Sequence, residues 1–318
     1  MKVLWLTLES NKQSLPGFAE SLQQSCELSC HWLTQRAAKH VAKAVGGSTI
    51  KAFDRVLLHL PLPLLVKQIP YIRCIPNLVL LQLDLADMLA GQDGCLEKFD
   101  RLLNLIPWAR VLVPHGKALD FLRDYPVAAA SVPLGFNGEW FVDQGRVRAV
   151  PAAIVADLDD PPDKKRRRHL FEIKTQNKLQ IYDPEEGLAL AEQLNQMGIV
   201  VCNDEFCGGY RGLNAKVLAC GAALMTWDRG EQENQANGFV DMENVILYRD
   251  SKSAHARLNF LKRHGDELER IRQAGKALAD AEHSDRALAE KVAGQLALEL
   301  PPFAGDDIED ALRYRFFR

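Results

Sequence analysis

Residues 199–227 read IVVCNDEFCGGYRGLNAKVLACGAALMTW. "IVVCND" is a short apolar run of strand formers. "NAKVLAC" has helical spacing and stops at Gly221, and "AALMTW" is a second apolar run. Strand, glycine-bearing loop, short helix and strand is the unit from which parallel sheets covered by helices are built. The loop and first helical turn carry Arg211, Asn214 and Lys216 behind Gly208-Gly209. Cations beside the open N–H groups of a helix start suit an anion. The same charges are equally at home solvating a loop ahead of a buried helix.

The same alternation extends outward in both directions. In the C-terminal half, "AAIVADL", "KLQIYD" and "NVILYRD" read as further strands, and "KKRRRHLFEIK" and "PEEGLALAEQLNQMG" as helices. Pro184-Glu185-Glu186 has the chemistry of a helix start, with Asp183 as its cap. From Ser251 onward the pattern is helical only. In the N-terminal half, "KVLWLTLE", "CELSCHWL", "RVLLHL", "NLVLLQLD", "RVLVPH" and "ASVPLG" read as strands. "LTQRAAKHVAKAV", "CLEKFDRLLNLI" and "GKALDFLRDY" read as helices between them. The expectation is an α/β protein with two Rossmann-like domains. They cover residues 1–145 and 146–300, with a crossover near 140–150, a cleft between the parallel sheets and a helical tail over 301–318. The tail's Tyr314, Phe316 and Phe317 call for burial near the domain junction.

Composition narrows the function classes. A chain of 318 residues with net charge −3 offers no overall electrostatic case for a nucleic-acid partner. Its seven cysteines are scattered without a C-x-x-C pair, as expected of core thiols in a reducing compartment. The apolar run in "MKVLWLTLES" is shorter than the ~7–15 residues of a signal peptide's core, and no stretch approaches the ~18–20 residues of a membrane span. The expected location is the cytoplasm. Nucleophile-elbow, P-loop and zincin motifs are absent, so hydrolase and kinase readings have no support.

Residues 198–250 resemble the C-terminal donor domain of CgeB-like glycosyltransferases, proteins of the GT-B fold. The resemblance rests on Asn203, Gly208-Gly209, Gly212-Leu213-Asn214, Leu218-Ala219-Cys220-Gly221 and the strand from Asn244 to Asp250. "RVLVPHGKALDFLRDY" and "ASVPLGFNGEWF" resemble the end of that family's acceptor domain more loosely. The resemblance implies a metal-independent, hexosyltransferase-like enzyme with no cofactor. Such an enzyme uses a nucleotide-diphosphate sugar as co-substrate and a glycan, protein or lipid as acceptor. It places Gly209, Arg211, Asn214 and Lys216 at the donor diphosphate, and Glu231 and Glu233 near the sugar hydroxyls. One departure stands out. The family's "L-N-x-R" stretch runs into "F-E-A-L-A-C-G", whereas "NAKVLACG" has no acid. Either three residues are missing between Val217 and Leu218, or Lys216 occupies the acid's place. A catalytically disabled GT-B subunit for binding or assembly is therefore the alternative reading.

The catalytic candidates lie in the first half. Asp84 ends one apolar run and His59 another, and acids or imidazoles at the carboxyl ends of parallel strands face a ligand crevice. Asp84 suits a base toward an acceptor hydroxyl, or a cap on the helix that follows. His59 suits a base or a structural hydrogen bond. The run Lys164–Arg168 is a solvated helix face, a pyrophosphate contact or a peripheral contact with an anionic membrane.

Overall fold

The computed structural model describes residues 1–45, 50–90, 95–114, 116–156, 164–202 and 212–306, without the side chains of residues 86, 87, 90 and 164–166. Each of the eleven apolar runs carries a strand. The first six, β1 (Lys2–Leu8), β2 (Glu27–Leu33), β3 (Arg55–His59), β4 (Leu78–Leu81), β5 (Arg110–Val113) and β6 (Ala128–Ser131), form one sheet in the order β2-β1-β3-β4-β5-β6. The other five, β7 (Val150–Val155), β8 (Ile181–Tyr182), β9 (Met197–Val201), β10 (Ala223–Trp227) and β11 (Ile246–Tyr248), form a second in the order β11-β10-β9-β7-β8. Every pairing is parallel.

The apolar strands are buried on both faces. Val3 through Leu6, Leu78 through Leu81 and Val111 through Val113 are enclosed. In the second sheet alternate residues divide between two cores. Ala153, Val155, Val200 and Leu224 pack on one face, and Ile154, Ile199, Val201 and Met225 on the other. Burying one such side chain contributes about 1.5–3 kcal/mol.

By contacts the chain forms two compact units. One comprises Met1–Pro133 together with the described residues from Leu288 on, and the other Leu134–Ala287. The first unit thus closes a dozen residues before the expected 145, and the end of the chain returns to it. The described part of the expected helical tail, residues 301–306, is not helical. Tyr314, Phe316 and Phe317 lie outside the described residues.

Two helices depart from their patterns for local reasons. The stretch expected to form one helix up to Val45 divides into a single turn, Ala37–Lys39, and a helix, Val41–Val45. Buried Gln68 interrupts it. Its Nε2 donates to the Ala38 carbonyl and its Oε1 accepts the Val41 N–H, both at 2.7 Å. The helix expected from Pro184 begins at Gly187, with Glu186 extended and no side-chain cap. Gly187 sits at φ +56°, where a Cβ would stand 3.2 Å from the Trp140 ring.

The helix Asp285–Ala297 carries the chain back, and two arginines hold its end. Arg55 and Arg110 are the first residues of β3 and β5. Arg110 donates to the carbonyls of Gln295 (2.6 Å) and Glu299 (3.1 Å), and Arg55 to those of Leu296 and Leu298 (both 3.0 Å). A helix end leaves four carbonyls unpaired and carries partial negative charge, so cationic forks suit it. Burial, with Arg55 alongside, pushes the Arg110 guanidinium below its usual pKa. Beyond the helix, Phe303 meets Trp108 edge-on at 4.8 Å and Asp306 pairs with Arg73. Arg110→Ala is expected to lower unfolding free energy by about 2–4 kcal/mol, with Arg110→Lys in between. Urea unfolding measures this, and an alanine variant as stable as the parent would show that the fork contributes nothing.

Candidate functional site

The carboxyl edge of the second sheet is built around the quoted stretch. Gly209 and Arg211 lie outside the described residues, so their placement is not part of the geometry. Gly212, at φ +69°, opens a helix of seven residues, Leu213–Ala219. Leu213, Val217, Leu218, Ala219 and Cys220 bury themselves in one core. This turns the remaining face outward. Asn214 is half-buried there, and its Oδ1 is enclosed without a hydrogen-bond partner. Lys216 places Nζ 5.3 Å from the centre of the Phe141 ring, within cation–π range. The helix holds no acid.

The far end of this helix is fixed by the device seen in the first unit. Arg148 donates to the Cys220 carbonyl (2.7 Å) and to Asp143 (2.7 Å), and Arg272 to the Gly221 carbonyl (2.6 Å). Burial pushes the Cys220 thiol up to about 12, against the lowering effect of Arg148. That thiol is packing, not chemistry.

Glu231 and Glu233 open the helix Glu231–Ala236 after β10. Glu231 is exposed and accepts from Gln235 at 3.0 Å. Glu233 pairs with Arg229 at 3.1 Å. The organising acid of this loop is instead Asp228, which the sequence reading passed over. Its Oδ1 accepts from the Gly230 N–H (3.0 Å) and from Asn234 Nδ2 (2.8 Å), and its Oδ2 from Arg249 (2.6 Å). Burial alone would raise its pKa, but these hydrogen bonds hold the carboxyl below the usual range. The signal was present, since Asp-x-Gly after a strand is an Asx-turn pattern. Two further side chains escaped notice. Thr226 Oγ1 and Asn234 Oδ1 are also buried without a partner. A threonine in the otherwise apolar "AALMTW" was the cue for the first.

In the first sheet, β3 and β4 end in His59 and the turn bearing Asp84. Asp84 is 3% exposed, and its Oδ2 accepts the Leu62 N–H at 2.8 Å. Through this bond it holds the first turn of the short helix Leu62–Leu65, and it also stands immediately before the helix Leu85–Ala90. His59 is half-buried and stacks on Trp5 at 6.4 Å, with its Nδ1 3.4 Å from Asn11 Nδ2. Asn11 Nδ2 also donates to Thr7 Oγ1 at 2.7 Å, and its Oδ1 accepts from Ser14 at 3.1 Å. The Asn11 amide thus ties Thr7, Ser14 and His59 together at the carboxyl end of the first sheet.

Of the basic run, Arg167 and Arg168 are exposed on the helix Lys164–Asn177, and Arg168 pairs with Glu172 at 2.8 Å. Among the described residues no group of three or more His, Cys, Asp or Glu is placed to hold a metal ion. Also among them, no helix is long and apolar enough to cross a membrane.

Two parallel sheets of six and five strands, in these orders, have known counterparts. A sucrose-phosphate synthase from Thermosynechococcus elongatus superposes at a TM-score of 0.58, with 11% identity over 93% of this chain and 98% of that one. HepE from Anabaena in complex with UDP superposes at 0.59, with 11% identity over 93% and 100% of the two chains. A glycosyltransferase from Rickettsia africae does so at 0.59, with 10% identity over 93% and 98%. This is the GT-B fold. Within it, residues 214–294 match the family model described as glycosyl transferase-like. No curated protein matches the sequence. The matched segment begins at Asn214 and contains β10, β11, the Asp228 loop and the helices that follow, so it includes part of the carboxyl edge of the second sheet.

The Asp84 contact makes a stability prediction. Asp84→Asn keeps an acceptor for the Leu62 N–H and should cost less than about 1 kcal/mol. Asp84→Leu strands a buried donor and should cost roughly 1–3 kcal/mol. Thermal unfolding of the two variants measures the difference, and equal stability would remove the capping role.

Proposed function

We propose that the protein transfers a sugar from a nucleotide-diphosphate donor, held by the second unit, to an acceptor held by the first. One observation carries this reading. Within the segment matching a glycosyl transferase-like family, three buried polar atoms, Asn214 Oδ1, Thr226 Oγ1 and Asn234 Oδ1, have no hydrogen-bond partner among the described residues. A buried polar atom left unbonded costs about 1–3 kcal/mol, so such atoms mark places where a ligand's donors are wanted. Hydroxyls of ribose or sugar are donors of that kind. Sequence-distant solved structures of the same fold support a uridine nucleotide, since HepE is described in complex with UDP and with UDP-glucose.

In this reading Asn214 and Lys216, with Gly209 and Arg211, take the diphosphate. Leaving-group stabilisation then comes from cations and oriented backbone dipoles. Glu231 and Glu233 lie on the helix after β10 and bound the sugar side. Asp84, with Oδ2 on the Leu62 amide, and His59, at the end of β3, are the candidates for the acceptor contact in the first unit. The same proposal includes a cytoplasmic location and a peripheral contact of Lys164–Arg168 with an anionic membrane.

The second reading, a binding or assembly subunit without turnover, is favoured by the helix itself. Leu213–Ala219 is seven residues long and carries no acid, which fits either three missing residues or Lys216 in the acid's place. A single set of variants separates the two. UDP binding measured by calorimetry should weaken roughly 10- to 150-fold in Lys216→Ala, the equivalent of one charged hydrogen bond. Lys216→Glu should bind no better than Lys216→Ala. Unchanged affinity in both would place the nucleotide elsewhere. Tight UDP binding without hydrolysis or transfer of any UDP-sugar would establish the disabled subunit, and stronger binding in Lys216→Glu would point the same way.

A further inference from the structure

A second charged site lies far along the sequence from the Asn214 helix. Immediately after β2 the chain forms a cavity of about 690 Å³, lined by Thr34, Arg36, Lys39, His40 and Lys43 with two alanines. Its volume falls within the ~300–1,000 Å³ typical of small-molecule sites. Its position, beyond the carboxyl end of a strand in a parallel sheet, is where such folds take ligands.

The charge there is unbalanced. Between Glu27 and Asp54 the chain has no acidic residue, in a protein whose net charge is −3. Arg36, Lys39, His40 and Lys43 are exposed, and none of the four side chains takes part in a hydrogen bond or ion pair. Most described arginines behave differently. Arg148, Arg168, Arg229, Arg249, Arg257 and Arg270 each pair with a carboxylate. Lys12 adds a further cation at the end of β2, 5.2 Å above the Trp32 ring.

The backbone that presents these groups is fixed from below. Ala38 and Val41 are buried, and Gln68, itself 5% exposed, grips the Ala38 carbonyl and the Val41 N–H from opposite ends of one amide. Thr34 Oγ1 accepts the Ala37 N–H at 3.2 Å, and the Thr34 carbonyl accepts the Ala38 N–H at 2.9 Å. This is the clamp that breaks the expected helix at His40. It sets Lys39 and His40 ahead of the break and Lys43 one turn beyond it, around one cavity. The fixed backbone keeps the four side chains within reach of one volume, while ordering each long side chain still costs entropy when an anion arrives.

We propose that this cavity binds the phosphate group of a phosphorylated small molecule. Arg36 gives a planar fork, Lys39 and Lys43 act as point charges, and His40 serves as a further donor. The assignment stands on the first unit alone and does not require glycosyl transfer. If the transfer reading also holds, the ligand is the acceptor, and the acceptor bears a phosphate.

The test uses the full chain with inorganic pyrophosphate as the probe, measured by calorimetry at about 50 mM salt, where surface charges are little screened. A Lys216→Glu background weakens the proposed donor site, and the share of the remaining binding that the triple variant removes belongs to the β2 cavity. In that background the combined variant Arg36→Ser, Lys39→Ser, Lys43→Ser should bind at least about tenfold more weakly. All three positions are exposed, so its melting temperature should match its parent's. UDP binding, measured without the Lys216 change, should be unaffected by the triple variant, which separates failure here from failure of the donor site. Sedimentation with phosphatidylcholine vesicles, with and without 20% phosphatidate, identifies the source of the phosphate. Vesicle binding lost in the triple variant means a lipid phosphate, and pyrophosphate binding without vesicle binding means a soluble one. Undiminished binding of both probes by the triple variant overturns the proposal, as does absence of binding to either by the parent.

Discussion

All strands in both sheets run parallel, and that single constraint organises the rest. Parallel neighbours cannot be joined by a tight turn, so each connection leaves the carboxyl edge and returns through a crossover to the amino edge. The carboxyl edges therefore collect the loops and helix starts, where Asn214, Asp228, His59 and the Arg36–Lys43 cluster stand. The amino edges are left for structural work, and Arg55 and Arg110 use theirs to secure the end of the chain.

Both units fasten a helix end in the same way. Paired arginines reach the carbonyls of Gln295 and Leu296 in the last turn of Asp285–Ala297 in one, and those of Cys220 and Gly221 just past Leu213–Ala219 in the other. In each case the guanidinium neutralises the negative end of a helix dipole and satisfies acceptors that the helix leaves open. The second case bears on function. The short helix is immobilised at its buried end by Arg148 and Arg272, while its first turn keeps an unbonded Asn214 oxygen. A rigid support beneath an unsatisfied polar rim is the arrangement expected of a binding surface.

The distribution of paired and unpaired charge sharpens the functional reading. Glu233 is paired with Arg229, Asp228 with Arg249 while it also accepts from Gly230 and Asn234, and Asp84 accepts the buried Leu62 amide. The acids are thus largely consumed in holding loops, whereas the cations after β2 are not.

The sequence by itself determined the fold class. Eleven apolar runs of strand length, separated by helical spacing, leave parallel α/β sheets as the arrangement that buries them, because burial on both faces is written locally in consecutive apolar residues. It also located the carboxyl-edge loops, since glycines and turn residues mark them. The tertiary structure alone decided which partners the polar residues take. Asp84 caps a helix 22 residues earlier in the chain, Gln68 breaks a helix some 30 residues away, and residues 288–306 return to the first unit through arginines on β3 and β5. These bonds join residues far apart in sequence, and no local pattern encodes them. A carboxylate at a strand end looks the same in sequence whether it faces a ligand or an amide, and only the packing around it chooses.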